Sequence, residues 1–215
     1  MRTATPAPGA RVDRRRARTR VALLQAGRSL LAQRDVDGLS VDEIVAAADV
    51  AKGSFYNHFP DKAGFAREIG AAVRRQAEDA VRAANKGIVA PAERLARATC
   101  VFVRFAIEHR ESAQLLWRLN SGATMADAPV NKGLREDIER LRRALPQLEL
   151  DSETGVLLVM GTIVITMRHV LEERVVTPPA QIAARMAAGL LRSLGLAPRQ
   201  AHSLALSAVE SIFPA

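Results

Sequence analysis

Residues 40–62, SVDEIVAAADVAKGSFYNHFPDK, carry the signals of two short helices joined by a tight turn, followed by the start of a third. Ser40 and Glu43 form a capping-box pair, in which each side chain accepts a hydrogen bond from the backbone amide of the other residue. The apolar residues that follow recur at i, i+3, i+4 and i+7: Val41, Ile44, Val45 and Ala48. This spacing predicts a first helix just over two turns long.

The second helix carries Phe55 and Phe59 at i and i+4, which places both rings on one side, where we expect them to be core. Its other side is left to small or polar residues: Lys52, Gly53, Ser54, Tyr56, Asn57 and His58. Pro60 is expected to end this helix, since the residue before a proline is pushed out of the helical region, and Asp61 can cap the next one. Two such helices are typical of a helix-turn-helix, whose second helix lies in the DNA major groove.

The same stretch resembles the DNA-binding domain of the tetracycline-repressor (TetR) family of bacterial transcription regulators. The family pattern is a capped helix, then V-S-x-G-T-hydrophobic-Y-x-H-F, a small polar residue and Lys. The matching residues are Val50, Gly53, Ser54 in place of Thr, Phe55, Tyr56, His58, Phe59, Asp61 and Lys62. Two positions differ: Ala51 replaces a usual Ser and loses a side-chain cap worth about 1 kcal/mol. Asp49 replaces a usual Gly in a turn where a positive φ is expected.

Composition bounds the class of protein. The 215 residues are 48% hydrophobic but only 4% aromatic, so the core must consist of Leu, Val, Ile and Ala. The single cysteine, Cys100, excludes an internal disulfide and a cysteine metal cluster, which suits a reducing cytoplasm. No N-terminal apolar stretch resembles a signal peptide. We therefore expect a cytoplasmic protein without a membrane segment.

The formal charge of +8 is concentrated at the N-terminus, where residues 1–20 hold seven arginines and one aspartate. One interpretation is a solvated, disordered tail or a poor imitation of a transit peptide. The other is an arm that lies along phosphates or enters the adjacent minor groove. The position of the arm directly before the helix-turn-helix favours the second interpretation.

The overall pattern predicts an all-α protein. Residues 1–12 are expected to be a disordered basic arm, residues 13–62 the helix-turn-helix DNA-binding domain, and residues 63–215 a helical effector-binding and dimerisation domain. Beyond the helix-turn-helix, helices are predicted at about residues 13–33, 62–85, 91–110, 111–121, 130–145, 152–174, 179–194 and 199–212. Glycine and proline mark the breaks between them.

Residues 155–167, GVLLVMGTIVITM, are the most apolar part of the chain. Thirteen residues are too few to cross a bilayer, and a helix that is apolar all round is buried. Together with the following predicted helix, the run resembles the helix pair that forms the four-helix dimer bundle of the TetR family. The resemblance implies a homodimer, and three glycines would permit close helix approach: Gly155, Gly161 and Gly189.

The resemblance and the side-chain chemistry together assign the DNA contacts. Lys52 and Asn57 are candidates for base edges, since Lys donates to guanine and Asn pairs with adenine. Tyr56, His58 and Lys62 are candidates for phosphates, although Tyr56 and His58 have the alternative role of bracing the fold. Gly53 would allow close approach of the backbone, and Ser54 suits either contact. The full predicted set is Arg14, Arg15, Arg16, Arg18, Ser40, Lys52, Gly53, Ser54, Tyr56, Asn57, His58 and Lys62.

The resemblance also implies an effector cavity in the C-terminal domain. Its candidate lining residues are Phe102, Phe105, His109, Leu116, Trp117, Met125, Met160 and Met167. Four polar groups could orient a ligand: His109, Asn120, Thr162 and His169. The alternative is that all of these residues are ordinary core. The expected effector is a small apolar or amphipathic molecule.

No catalytic, cofactor or metal site is predicted. The four histidines are scattered without metal-ligand spacing, and the chain has no glycine-rich phosphate loop and no nucleophile elbow. The expected function is that of a repressor that binds a palindromic operator DNA as a homodimer and is released by a small-molecule effector. One alternative is a TetR-like regulator without an effector, whose C-terminal domain binds a protein partner or only dimerises. Another is a helical interaction protein independent of nucleic acid, against which the arginine arm argues.

Overall fold

The computed structural model describes residues 8–119, 127–145 and 150–214, with the backbone alone at residues 8–12. Within these ranges the chain is helical and contains no strand, so the all-α prediction is confirmed. The helices are α1 Pro8–Gln33, α2 Val41–Ala47, α3 Lys52–Tyr56, α4 Lys62–Ala84, α5 Pro91–Glu108, α6 Arg110–Arg118, α7 Lys132–Ala144, α8 Ser152–Val170, α9 Pro179–Ser193 and α10 Pro198–Ile212.

Packing divides the chain into two compact units. The first is Met1–Val73 with Gln114–Leu119, and the second is Arg74–Ala113 with Asn120–Ala215. The division therefore falls at residue 73, later than the domain boundary at residue 62 that the sequence suggested. The reason is that Phe65, Ile69 and Val73 of α4 are all fully buried in the first core.

The core of the first unit is built around three phenylalanines, so the expectation of a core of Leu, Val, Ile and Ala alone is wrong for this unit. The rings of Phe55 and Phe65 lie 5.3 Å apart, and those of Phe59 and Phe65 lie 4.8 Å apart, both in edge-to-face arrangements. Gly27 of α1 allows α4 to approach closely, because a Cβ there would lie 2.8 Å from Ile69 Cδ1. The burial of Phe55 and Phe59 agrees with the sequence prediction and fixes which side of α3 remains outside.

Helix α1 starts earlier than predicted. It begins at Pro8 rather than near Asp13, so residues 8–12, which were predicted to be disordered, are helical. Proline suits the first turn of a helix, where its missing N–H has no partner to lose. Arginine and alanine in the next turns are good helix formers. Residues 1–7 of the predicted arm lie outside the described residues.

The second unit packs around α5, which contacts α7, α8, α9 and α10. Three of its helices carry proline at the favourable first-turn position: Pro91, Pro179 and Pro198. Arg94 Nε of α5 donates to Asp137 Oδ1 of α7 over 2.9 Å, which joins these two helices through a largely buried ion pair. Each helix of this unit that lies beyond residue 90 starts within two residues of its predicted position.

Helix α8 has 19 residues, longer than its 13-residue apolar run. Of the helices in the described ranges, it alone is long and apolar enough to cross a membrane by these two measures. However, it packs against α5, α7 and α9 and buries Val156, Val159 and Ile163, as a core helix does. Gly155 serves this packing, since a Cβ there would lie 2.8 Å from Ile138 of α7.

Candidate nucleic-acid interface

Helix α2 begins with the predicted capping box. Ser40 Oγ accepts from the amide of Glu43 over 3.2 Å, and Glu43 Oε2 accepts from the amide of Ser40 over 2.8 Å. Arg34 Nη1 donates to the other carboxylate oxygen over 2.7 Å. The bonds from the amide and hydroxyl of Ser40 and from Arg34 lower the pKa of Glu43 to about 2. Ser40, a predicted DNA contact, is thus engaged in the cap of α2.

The turn between α2 and α3 contains both departures from the family pattern. Asp49 has a φ of 51°, so the expected left-handed conformation is confirmed. Ala51 is the residue before α3 and provides no side-chain cap, as expected. The turn keeps the required geometry with residues that stabilise it less well.

Helix α3 is shorter than predicted, ending at Tyr56 rather than just before Pro60. The amides of His58 and Phe59 both donate to the carbonyl of Phe55 over 2.9 Å, so the chain turns at this point. This turn brings the side chain of Phe59 into the core, where it is 2% exposed. Phe55 and Phe59 thus lie on the same side, as their i, i+4 spacing predicted, although the helix ends before Phe59.

One face of α3 is open to a partner. Lys52, Gly53, Tyr56 and Asn57 are exposed, whereas Ser54 is half-buried. A Cβ placed on Gly53 would meet no atom of the chain within 4 Å, and the φ of this glycine is not positive. The fold itself therefore does not require glycine at this position, and a requirement would have to come from a bound molecule.

Cationic groups flank this face at both ends. At the start of α3, Lys52 Nζ lies 2.8 Å from Asp42 Oδ1 of α2. At its end, Arg16 Nη2 of α1 donates to the carbonyl of Asn57 over 3.4 Å. His58 is half-buried, and its pKa is lowered first by this burial and then by the charges of Arg16 and Arg20. The imidazole of His58 is thus held in the neutral form near neutral pH.

Arg20 itself is held in place by α4. Its guanidinium bonds to the Glu68 carboxylate over 2.5 Å and lies 5.3 Å from the centre of the Phe59 ring. The remaining predicted arginines, Arg14, Arg15 and Arg18, lie exposed on the same helix. Arg20, Glu68 and Asp42 were not predicted as parts of the site, because no local pattern links residues so far apart in sequence.

Lys62 occupies a more internal position than its predicted phosphate contact suggested. Its Nζ donates to the carbonyl of Leu39 over 2.6 Å and to that of Asp37 over 3.3 Å. It therefore ties the start of α4 to the loop between α1 and α2. The preceding residue, Asp61, accepts from the amide of Gly64 over 2.5 Å and caps α4, as predicted.

Residues 23–69 match the model of a family described as bacterial regulatory proteins, tetR family. The match includes the C-terminal part of α1, the whole of α2 and α3, and the start of α4. This segment of the chain is a tetR-family DNA-binding domain. The resemblance inferred from residues 40–62 is thereby confirmed.

A curated relative supports the same assignment for this segment. The HTH-type transcriptional repressor DhaR of Mycobacterium sp. (strain GP1) is 43% identical over 47 residues. This alignment spans 22% of the chain and 24% of DhaR, so it covers about a quarter of that repressor. The similarity concerns one part of each protein.

Solved structures extend the likeness over both units at the level of the fold. A tetR-family regulatory protein from Rhodococcus RHA1 has a TM-score of 0.66 and 21% identity, covering 83% of this chain and 98% of that one. AibR, in complex with isovaleryl coenzyme A and operator DNA, has a TM-score of 0.63 and 20% identity, covering 78% and 95%. The tetR-family fold therefore includes the C-terminal helices.

The predicted effector-lining residues are divided between the two units. Phe105 and Met167 are buried in the second unit, where Phe102 and Met160 are half-buried. His109 is exposed, with its ring centre 5.0 Å from that of Phe105. Leu116 instead packs against the core of the first unit, to which Trp117 also belongs. Met125 and Asn120 lie outside the described residues.

The second unit has an open cleft at the end of α8 and the loop after it. This cleft has a volume of about 770 Å³ and is lined by Arg110, His169, Leu171, Glu172, Glu173, Arg174, Val175, Val176 and Thr177. Of the four polar groups predicted to orient a ligand, His169 lies here, whereas Thr162 lies on α8 away from the cleft. The lining of this cleft contains more charged side chains than the lining that was predicted for an apolar effector cavity.

No metal centre is found in the described ranges, where no three His, Cys, Asp or Glu side chains are grouped closely enough to hold an ion. Cys100 is fully buried in α5, and this burial raises the pKa of its thiol to about 12. The thiol is therefore protonated at neutral pH, and it behaves as a small apolar core residue.

Proposed function

We propose that this tetR-family protein is a DNA-binding transcriptional regulator, most simply a repressor that occupies a near-palindromic operator as a homodimer. The observation that carries the proposal is the open face of α3. This helix buries Phe55 and leaves its exposed side to Lys52, Gly53, Tyr56 and Asn57. A recognition helix in the major groove needs such a face.

The side chains of this face divide by the contacts that they can make. Asn57 can pair bidentately with adenine, and the Lys52 ammonium can donate to guanine. Tyr56 and the arginines exposed on α1, Arg15 and Arg18, suit phosphate contacts, which position the protein without reading sequence. His58, neutral and half-buried beside Arg16, suits a supporting role as well as a phosphate contact.

The homodimer rests on the exposed parts of α8 and α9. Leu157, Gly161 and Ile165 are exposed and follow each other at intervals of four residues on one face of α8. A Cβ on Gly161 or on Gly189 of α9 would meet nothing in the chain within 4 Å. Two such helices can pack closely against their copies about a two-fold axis, and a two-fold dimer matches a palindromic operator.

Release by a small molecule is the part of the proposal that concerns the second unit. AibR, of similar fold, is described with both isovaleryl coenzyme A and operator DNA, which makes a ligand-responsive mechanism a reasonable model for this chain. A ligand would act by binding one arrangement of the protein better than another. Control of transcription by binding alone requires no catalysis, and it places the protein in the cytoplasm with the DNA.

A second candidate is a regulator without an effector, whose C-terminal domain binds a protein or only dimerises. The specific observation in its favour is the division of the predicted lining residues, with Leu116 packed into the core of the first unit. Thermal unfolding in the presence of a panel of small apolar and amphipathic molecules separates the two candidates. A concentration-dependent rise in Tm together with loss of DNA binding supports the effector, and neither change supports the second candidate.

The test of DNA binding is selection of sites from random duplex DNA, followed by fluorescence polarisation with the selected site and a scrambled duplex. We expect a near-palindromic site and affinity that falls by about 10³- to 10⁵-fold between 50 and 200 mM salt. Asn57→Ala should relax the preference at one base position in each half-site. Failure to enrich any sequence, or affinity that does not respond to salt, would contradict the proposal.

A further inference from the structure

The ion pair at the start of α3 joins a predicted base-reading lysine to an acid that carries no predicted role. Lys52 Nζ lies 2.8 Å from Asp42 Oδ1 and 3.0 Å from Oδ2, so the ammonium contacts both carboxylate oxygens. The side chains of Lys52 and Asp42 remain 61% and 66% exposed. Exposed pairs of this kind add little to stability. We therefore consider how the pair affects DNA binding by Lys52.

Asp42 is well placed to hold the lysine. It lies in the first turn of α2, where the helix dipole favours negative charge. A lysine ammonium is a point charge with three donors on a flexible stem, so an unpaired Lys52 could reach a phosphate in any sequence. Paired with Asp42, the same ammonium keeps a donor for guanine while the pair as a whole carries no net charge.

From this geometry we propose that Asp42 is a specificity-determining residue, which restrains Lys52 and lowers the affinity for non-cognate DNA. The inference rests on the proposed DNA-binding function and concerns the same surface. Phosphate attraction is the same for every sequence, so a carboxylate that opposes it weakens non-cognate binding. At the operator, the base contact of Lys52 offsets this loss. Discrimination is the difference between the binding free energies for the operator and for non-cognate DNA. A group that repels non-cognate DNA, such as the Asp42 carboxylate, can enlarge this difference.

The test compares wild-type protein with Asp42→Asn, which removes the charge and keeps the shape. Affinity is measured against salt concentration on the selected operator and on a scrambled duplex. On scrambled DNA, we expect log affinity against log salt to become steeper by about one per protomer, because Lys52 is free to neutralise a phosphate. At 100 mM salt this corresponds to roughly tenfold tighter non-cognate binding per protomer. Operator affinity should change less, so the ratio of the two affinities falls.

Two controls separate this role from a general effect of charge or structure. Asp79→Asn removes the same charge from an exposed pair with Arg82 on α4, and it should leave the affinity ratio unchanged. In a Lys52→Gln background, Asp42→Asn should no longer steepen the salt dependence, because the lysine through which it acts is absent. Urea unfolding of each variant verifies that α2 and its neighbours remain folded.

The outcomes distinguish the inference from the function on which it rests. The role of Asp42 would be overturned if Asp42→Asn changed the affinities for operator and scrambled DNA equally, or if its effect were undiminished in the Lys52→Gln background. Sequence-specific binding by the wild-type protein would still support the proposed regulator. Failure of the wild-type protein to select any sequence would overturn the proposed function itself.

Discussion

The folded chain does not require glycine at position 53, whereas close approach of DNA to the α3 backbone would require it. Gly53→Ala adds a methyl group into open space and exchanges a poor helix former for a good one. We expect the free energy of unfolding to rise by up to about 1 kcal/mol. DNA affinity should fall, because the methyl group would separate the α3 backbone from the groove. Urea unfolding and fluorescence polarisation measure the two effects.

The matched control is Gly133→Ala in the first turn of α7, where a Cβ would also meet nothing within 4 Å. It should produce a similar change in stability and leave DNA binding unaltered. Undiminished operator affinity of Gly53→Ala would show that the backbone of α3 does not approach DNA closely at this position.

Single residues also show where the sequence informs and where it does not. The positive φ of Asp49 could be predicted, because the pattern that the stretch resembles usually has glycine at this position. The bonds of Lys62 to Leu39 and Asp37 could not, because the two partners are backbone carbonyls of a loop more than twenty positions earlier. A lysine at a helix start has no local feature that reveals such a contact.

At the scale of the element, α2 depends on its capping box, and the pKa of Glu43 makes this dependence testable. The pKa is about 2 in the folded protein against an ordinary 4.5. A lowered folded pKa means that the contribution to stability is complete above pH 4.5 and is lost as the pH falls toward 2. Glu43→Gln keeps a hydrogen-bond acceptor at this position but does not titrate.

We therefore expect the stability difference between wild type and Glu43→Gln to be constant from pH 6 to 8 and to shrink between pH 4.5 and 2. Urea midpoints of both proteins across this range provide the measurement. Because every other carboxylate titrates in both proteins, their effects cancel in the difference. Parallel pH profiles for the two proteins would show that the box does not hold Glu43 ionised.

The helix bounds illustrate the limits of local signals. The start of α2 followed from the Ser40–Glu43 pair, and the starts of α5, α9 and α10 followed from their prolines. The end of α3 was placed too late, since the helix ends at Tyr56 rather than just before Pro60. The start of α1 was placed too late, since composition alone made residues 8–12 look unstructured. A capping pair or a first-turn proline therefore located helix starts more closely than composition or a following proline located the other bounds.

At the scale of the whole molecule, the candidate DNA interface is assembled from four helices that meet only in the folded first unit. Its pairs, Arg16 with Asn57 and Arg20 with Glu68, span more than forty residues of sequence. The sequence could therefore supply the members of the interface but not their partners. The effector set was harder still to predict, because its members were chosen for being apolar, a property shared by every core residue.

Dimerisation is the remaining property of the whole molecule, and Gly161 of α8 provides its test. In the isolated chain this position is exposed and open, so Gly161→Glu should leave the second unit folded. Leu157 and Ile165 lie one turn to either side and form an apolar surface with it. In a two-fold dimer through this face, the new carboxylates of both protomers would be buried together without partners.

We expect Gly161→Glu to raise the dimer dissociation constant by at least about 30-fold, since leaving a charge unpaired in an interface costs about 2 to 5 kcal/mol. Sedimentation equilibrium measures the constant, and circular dichroism verifies the helix content. Operator affinity should fall with the dimer, because each protomer then binds its half-site alone. Gly133→Glu on α7 introduces the same side chain at another open position and should remain dimeric. A Gly161→Glu protein as dimeric as this control would place the interface on another face.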